Sequence, residues 1–163
     1  MSRPALLALN ESLKQHRMDK QYLALVAGRW PARRDFVSAR LDRFELGNGE
    51  RRVRVDTAGK VARTRFAVRE TFDKVTLVEA EPVTGRTHQI RVHAAHAGHP
   101  LLGDDKYGSR ESQRLAAGLG VSRLFLHAAS LTFPEPTSGR PVQIKAPLPD
   151  DLEAALARAR HAR

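Results

Sequence analysis

The chain has 163 residues, with 28 Lys and Arg against 18 Asp and Glu, a formal charge of +10 and no cysteine. That length predicts one domain or slightly more, with a core that needs no covalent staples. The absence of Cys excludes a disulfide framework, a Cys-based zinc or iron–sulfur site and a thiol nucleophile. No apolar run approaches the roughly 18–20 residues of a membrane span, and Ala5–Leu9 is too short for a secretory core. A cytoplasmic, membrane-free protein is expected, and its excess of cations favours nucleic acid as partner.

In chain order, Leu6, Leu9 and Leu13 recur at helical spacing within 5–17. Tyr22–Ala27 is an apolar run stopped by Gly28, and it predicts a buried strand. Phe36–Leu41 and Arg51–Asp56 read as short strands flanking the turn Gly47-Asn48-Gly49, with a further turn at Gly59. Alternation predicts strands over Thr64–Arg69 and Lys74–Glu81. Pro82–Gly85 is a loop, and Thr87–Ala97 a helix stopped by Gly98 and Pro100. Beyond the polar loop Gly103–Arg110, the expected order is a helix over Glu111–Ala117, a strand over Leu124–Phe133, a turn at Thr137–Arg140 and a strand over Val142–Ala146. A last amphipathic helix runs over Asp150–Arg160, with Asp150 or Asp151 as N-cap. Many short strands with few helices define an α+β fold with a mostly antiparallel sheet and flanking helices.

Arginines punctuate the first half. Arg52-Val53-Arg54 and Arg63-Thr64-Arg65 place arginine pairs on one face of a strand, where guanidinium groups suit phosphate. Four of the seven histidines, His88, His93, His96 and His99, fall within twelve residues. A metal-dependent hydrolase would need them to share a cation. Their spacing is not the i, i+4 pair of metal-binding helices, and Arg86 and Arg91 stand among them, so no metal is expected. His96 and His99 read as helix-capping and packing residues. The Asp104-Asp105 pair could serve acid–base chemistry; turn formation ahead of Lys106-Tyr107-Gly108 is the better reading.

Four strings then stand in order: Lys20–Val26, Pro82-Val83-Thr84-Gly85-Arg86-Thr87-His88-Gln89-Ile90-Arg91-Val92-His93, Gly98–Gly108 and Arg123–Ala128. In content, order and spacing they resemble the consecutive motifs of RluA-type pseudouridine synthases, most of all the RluC-like enzymes of large-subunit ribosomal RNA. The resemblance runs from about residue 5 to the C-terminus. It implies a pseudouridine synthase catalytic domain, isomerisation of uridine to pseudouridine in RNA, rRNA as partner, and no cofactor or metal. By motif it makes Tyr22 the residue that packs on the target base and assists proton removal, and Arg91 the partner of the family's catalytic Asp. Leu126 would wall the base pocket, and Arg86, His88 and Gln89 would bind substrate.

That family carries its Asp in a His-Arg-Leu-Asp-type motif upstream of the Lys-x-Tyr strand. His16-Arg17-Met18-Asp19 resembles it in letters only, because it abuts Lys20-Gln21-Tyr22 and no Ser-Gly turn follows. The expectation is therefore that residues 1–163 are a partial catalytic domain lacking the Asp segment and any N-terminal RNA-binding domain. Such a chain would be inactive alone and prone to associate through an exposed sheet edge. The alternative is a non-catalytic RNA-binding remnant.

Overall fold

The apolar run after Lys20 becomes the centre of the fold because both of its faces are covered. In the computed structural model, which describes residues 3, 4, 6, 7 and 18–162, strand β1 spans Asp19–Ala27. Successive side chains of a strand point to opposite faces. Leu25 and Ala27 enter one core with Phe72, Leu77 and Phe125, and Ala24 and Val26 enter a second with Trp30, Phe66 and Val78. A strand that is buried on both faces has no polar positions to alternate, which is why the run reads as continuous.

β1 lies inside a six-stranded sheet of order β2-β5-β6-β1-β7-β8. The other strands are β2 (Phe36–Ser38), β5 (Arg63–Thr71), β6 (Val75–Pro82), β7 (Leu126–Pro134) and β8 (Pro141–Lys145). Every pairing is antiparallel. A separate hairpin joins β3 (Leu41–Glu45) to β4 (Arg51–Val55). Helix α1 (Gln89–His96) covers one sheet face through Ile90 and Ala94. Helices α2 (Arg110–Gly118) and α3 (Asp150–His161) cover the other through Ala116, Leu152, Ala155 and Leu156. Each large side chain so buried contributes roughly 1.5–3 kcal/mol. The hairpin packs Leu41 and Val53 against Val92 of α1, so α1 sits between sheet and hairpin. This is the α+β, mostly antiparallel architecture expected.

Two expectations change, and a third falls mostly outside the described residues. The strand expected over 36–41 is two strands in different sheets: β2 pairs with β5, and the chain then leaves the sheet at Ala39–Arg40 to begin β3. The last helix is not capped by Asp150 or Asp151. Its N-cap is Pro149, without a side-chain cap bond, and the Asp151 carboxylate instead takes both Arg123 donors at 2.7 and 3.0 Å. Most of the helix expected over 5–17 falls outside the described residues; Leu6 and Leu7 are helical.

The register of β1 against β6 is unbroken from Tyr22 to Ala27. Against β7 it shifts between Gln21 and Tyr22, whose partners are Ser130 and Ala128, so Ala129 is an extra residue in β7. Its carbonyl accepts from Ala146 N at 2.9 Å. Among the described residues no helix is long and apolar enough to cross a membrane.

Candidate active site

A cleft of about 420 Å³ lies where β1, β7, the 82–88 loop and α1 meet. Tyr22 from β1 and Leu126 from β7 line it together with Leu124, Ile90 and Val83, an apolar and aromatic wall of the kind an unstacked base needs. Lys20, Arg86 and Arg91 bring charge to it, and no Asp or Glu is among its described lining residues. The structure thus brings all six sequence-derived site residues, Tyr22, Arg86, His88, Gln89, Arg91 and Leu126, to one cavity. They come from two strands, a loop and a helix.

The loop is held by a buried polar network. The Gln89 carboxamide donates to Arg63 O at 2.7 Å and Thr64 Oγ1 at 3.0 Å. Its oxygen accepts from the Thr84 hydroxyl at 2.6 Å and from Arg86 N at 3.1 Å. Gln89 is buried; its oxygen holds the loop at Thr84 and Arg86, and its NH2 ties that loop to β5. The network continues into the core. His93 Nε2 donates to Ala39 O at 2.9 Å, so Nδ1 is left to accept from the Thr64 hydroxyl at 2.7 Å. Burial, only partly offset by the Ala39 bond, lowers the His93 pKa and keeps the ring neutral.

His88 begins α1 in the left-handed region, at φ 53° and ψ 23°, the one non-glycine residue at positive φ among those described. Such a conformation costs an L-residue on the order of 1–2 kcal/mol, so it must be held. Val53 N donates to Tyr107 Oη at 3.0 Å, and the same hydroxyl shares a hydrogen bond with His88 Nδ1, 2.7 Å away. Desolvation, and then the charges of Arg91 and Lys106, lower the His88 pKa. That shift favours a neutral His88 ring at the cleft wall.

Arg91 is the most constrained cation of the cleft. Its Nε and NH2 donate to the two Asp104 oxygens at 2.9 and 2.7 Å, and its guanidinium lies 5.0 Å from the Tyr107 ring centroid. Asp104 is buried and also accepts from Lys106 N and Tyr107 N, both at 3.0 Å. Burial pushes the Asp104 carboxyl up, but the Arg91 hydrogen bonds and charge and the two amides outweigh it and hold it below its ordinary value. The bond to Asp104 in turn raises the Arg91 pKa. The turn role expected of Asp104 is present. The ion pair is the feature that sequence reasoning missed: its partners are thirteen residues apart, and no local period links them.

The remaining candidates disperse. Among the described residues no group of three or more His, Asp or Glu could hold a metal ion. His96 is exposed in the last turn of α1, and His99 Nδ1 bonds Ala27 O at 2.8 Å. Asp19 is exposed and lines a separate hollow with Thr132 and Phe133. Arg63 and Arg65 share the outer face of β5 as expected, both over the Phe36 ring at 4.7 and 4.9 Å.

A sheet-borne, base-sized cleft with an aromatic wall, cationic rim and neutral histidine defines a class, and the comparisons name it. The family model described as RNA pseudouridylate synthase matches residues 2–96, and the chain belongs to that family. Similar relatives include "Ribosomal large subunit pseudouridine synthase C" of Escherichia coli O157:H7, 50% identical over 163 residues, or 99% of this chain and 51% of the relative. The protein of the same name in Yersinia pestis is 49% identical over 154 residues, 94% of this chain and 48% of its own. The chain thus spans about half the length of these curated relatives, and the match falls in their C-terminal part. Among solved structures, human RNA Pseudouridylate Synthase Domain Containing 1 superposes with a TM-score of 0.77 at 28% identity, covering 91% of this chain and 62% of that one. Human RNA Pseudouridylate Synthase Domain Containing 4, at 23% identity and TM-score 0.76, covers 98% and 69% and shares the fold.

Proposed function

We propose that residues 1–163 form the C-terminal part of a catalytic domain that isomerises uridine to pseudouridine in RNA, with large-subunit rRNA as substrate. The reaction breaks the C1′–N1 glycosidic bond, turns the uracil and joins C5 to C1′. In this reading Tyr22 packs on the extruded uracil and assists removal of the C5 proton, and Leu126 closes the other side of the pocket. Arg86 and His88 contact the nucleotide. Gln89 acts by holding the loop that carries them.

Arg91 stands ready for a second carboxylate. Asp104 keeps the guanidinium oriented in the cleft, and the catalytic Asp that the family brings would meet a cation already in place. Such a carboxylate needs a cationic neighbour to stay ionised once desolvated. The single observation that carries the proposal is that Tyr22, Leu126 and Arg91 line one base-sized cleft. The names of the relatives support rRNA as substrate.

A second reading concerns the chain by itself. No carboxylate lines the cleft among the described residues, which favours RNA binding without turnover by residues 1–163. The test is pseudouridine formation on large-subunit rRNA, comparing this chain with the same chain preceded by the N-terminal half of one of its bacterial relatives. Activity only in the extended protein supports both statements. Robust turnover by residues 1–163 refutes the inactivity. Activity in neither refutes the isomerase reading.

A further inference from the structure

A second cleft, of about 570 Å³, lies beside the first, between β3, the Ala58–Lys60 turn and the 85–87 loop. The two share Gly85 and Arg86, so one rim serves both. Its floor is tightly built. A Cβ on Gly59 would stand 2.5 Å from the Leu41 carbonyl carbon and oxygen, so only glycine lets the turn lie this close to β3. Lys60 N donates to Leu41 O at 2.8 Å, Leu41 N donates to Lys60 O at 2.9 Å, and the Arg40 guanidinium donates to Gly59 O at 3.1 Å.

The positive charges of this cleft have no counter-charge among the described residues of the fold, although the Arg86 Nε donates to Val61 O at 3.0 Å. Lys60, Arg43 and Arg86 are exposed and line it, and none has an ion-pair partner among the described residues. The one carboxylate in the lining, Asp42, faces Arg54 at 3.5 Å. The hairpin wall is anchored: Arg52 donates to Lys106 O at 3.2 Å, Lys106 pairs with Glu50 at 3.2 Å, and Val53 N reaches Tyr107. Three unpaired cations on a fixed frame, continuous with a base-sized pocket, match one ligand chemistry, a phosphodiester of the strand that presents the base.

We infer that this cleft seats an RNA backbone phosphate flanking the target uridine, held by Arg43 and Lys60, with Arg86 at the junction to the base pocket. The inference rests on the uridine-isomerase reading and adds to it the path of the strand. Phosphate contacts position a strand without reading its sequence. The contribution of these cations should therefore be the same for RNAs with and without uridine, and should fade with salt.

The experiment measures binding of a short single-stranded oligoribonucleotide to the 163-residue chain across a salt series. Arg43→Ala and Lys60→Ala are each expected to weaken binding about two- to fivefold at low salt, as for an exposed ion pair. Each should also flatten the dependence of log K on log salt by about 0.7–1. Lys60→Arg should restore the slope. Arg114→Ala, on α2 and paired with Glu111, should change neither quantity. Far-UV circular dichroism checks the fold, and Lys60→Gln provides a second neutral variant.

Unchanged affinity and slope in the Arg43→Ala, Lys60→Ala double variant overturn the inference. So does a loss confined to uridine-bearing RNA, or displacement of RNA by an acidic polypeptide as readily as by RNA. A flattened slope with no pseudouridine from the extended protein removes the isomerase reading alone. Pseudouridine formation with an unchanged slope removes the phosphate seat alone. No RNA binding by the unmodified chain removes the phosphate seat, and the isomerase reading then stands or falls on pseudouridine formation by the extended protein.

Discussion

Asp104→Asn is the sharpest perturbation of this fold. The substitution keeps the side-chain shape and an oxygen for the Lys106 and Tyr107 amides, both now 3.0 Å from Oδ1. It removes the charge and turns an amide NH2 or a neutral oxygen toward the two Arg91 donors that sit 2.7 and 2.9 Å from the carboxylate. Breaking one side of a buried pair costs about 3–5 kcal/mol. The Asp104 side chain is wholly buried, but that of Arg91 is 13% exposed, so water can recover part of the loss and the lower end applies. A cost of about 3 kcal/mol lowers Tm by about 6–12 °C in a chain of this size. Urea unfolding followed by fluorescence of Trp30, the single and buried tryptophan, reads the change directly. Asp105→Asn is the control, because that side chain is 91% exposed and 4.0 Å from Arg91, and its cost should stay within about 0.5 kcal/mol. An Asp104→Asn protein within about 0.5 kcal/mol of the parent would refute the reasoning. So would an equal loss at Asp105, since the burial argument separates the two.

Three further outcomes are expected. Stability should fall in two stages on acidification. His93 has a folded pKa below its ordinary 6.5, so the unfolded chain binds the extra proton and stability declines as pH drops below 6.5. Asp104 is held below 3.8, so its contribution is present above that value and is lost as pH falls through the lower folded pKa. Urea midpoints against pH check both, and His93→Gln should flatten the first stage. Tyr107→Phe deletes the hydroxyl between Val53 N and His88 and leaves a part-buried amide unpaired, a cost of about 1–3 kcal/mol. The same variant should weaken RNA binding, as read by a titration with rRNA fragments. Gly103→Ala should destabilise far more than Gly98→Ala by urea unfolding. Both have positive φ, but a Cβ at 103 would lie 2.0 Å from Arg123 O, whereas nothing stands within 4 Å at 98.

The parts of the fold that were legible in the sequence are those where one physical signal acts alone. β1 showed as an unbroken apolar run because it is buried on two sides, and Gly47-Asn48-Gly49 showed as a turn because the hairpin needs a positive φ at Gly49. The junction of β2 and β3 was hidden. Ala39 and Arg40 carry no breaker, and the change of sheet is dictated by where His93 and Ala62 wait: Ala39 O accepts from His93, and Ala39 N donates to Ala62 O. The cap of α3 was misread because an aspartate at a helix start has two uses. Here Asp151 lies inside the first turn, and its carboxylate takes the two Arg123 donors as well as facing the Asp151 and Leu152 amides. The site residues came from the motif strings, yet their division of labour came only from contacts. Gln89 faces inward to the loop, His88 hangs on Tyr107, and Arg91 is gripped by Asp104.

The extra residue in β7 has a consequence for how this sheet tolerates change in length. Side chains in a strand have a parity, and a shift by one residue exchanges inside for outside. Ala129 absorbs one such unit, so that Tyr22 keeps its place opposite Ala128 while Asp19, Lys20 and Gln21 pair one step out of phase. Deleting Ala129 would force a choice on the strand. Either the segment carrying Leu126 stays in phase and the far end, with β8 behind it, swaps its faces, or the reverse. The bulge works as an expansion joint between the half of β7 that lines the cleft and the half that reaches toward the edge. A one-residue change in length at the outer end would have to be absorbed at this bulge for the pocket wall to keep its faces.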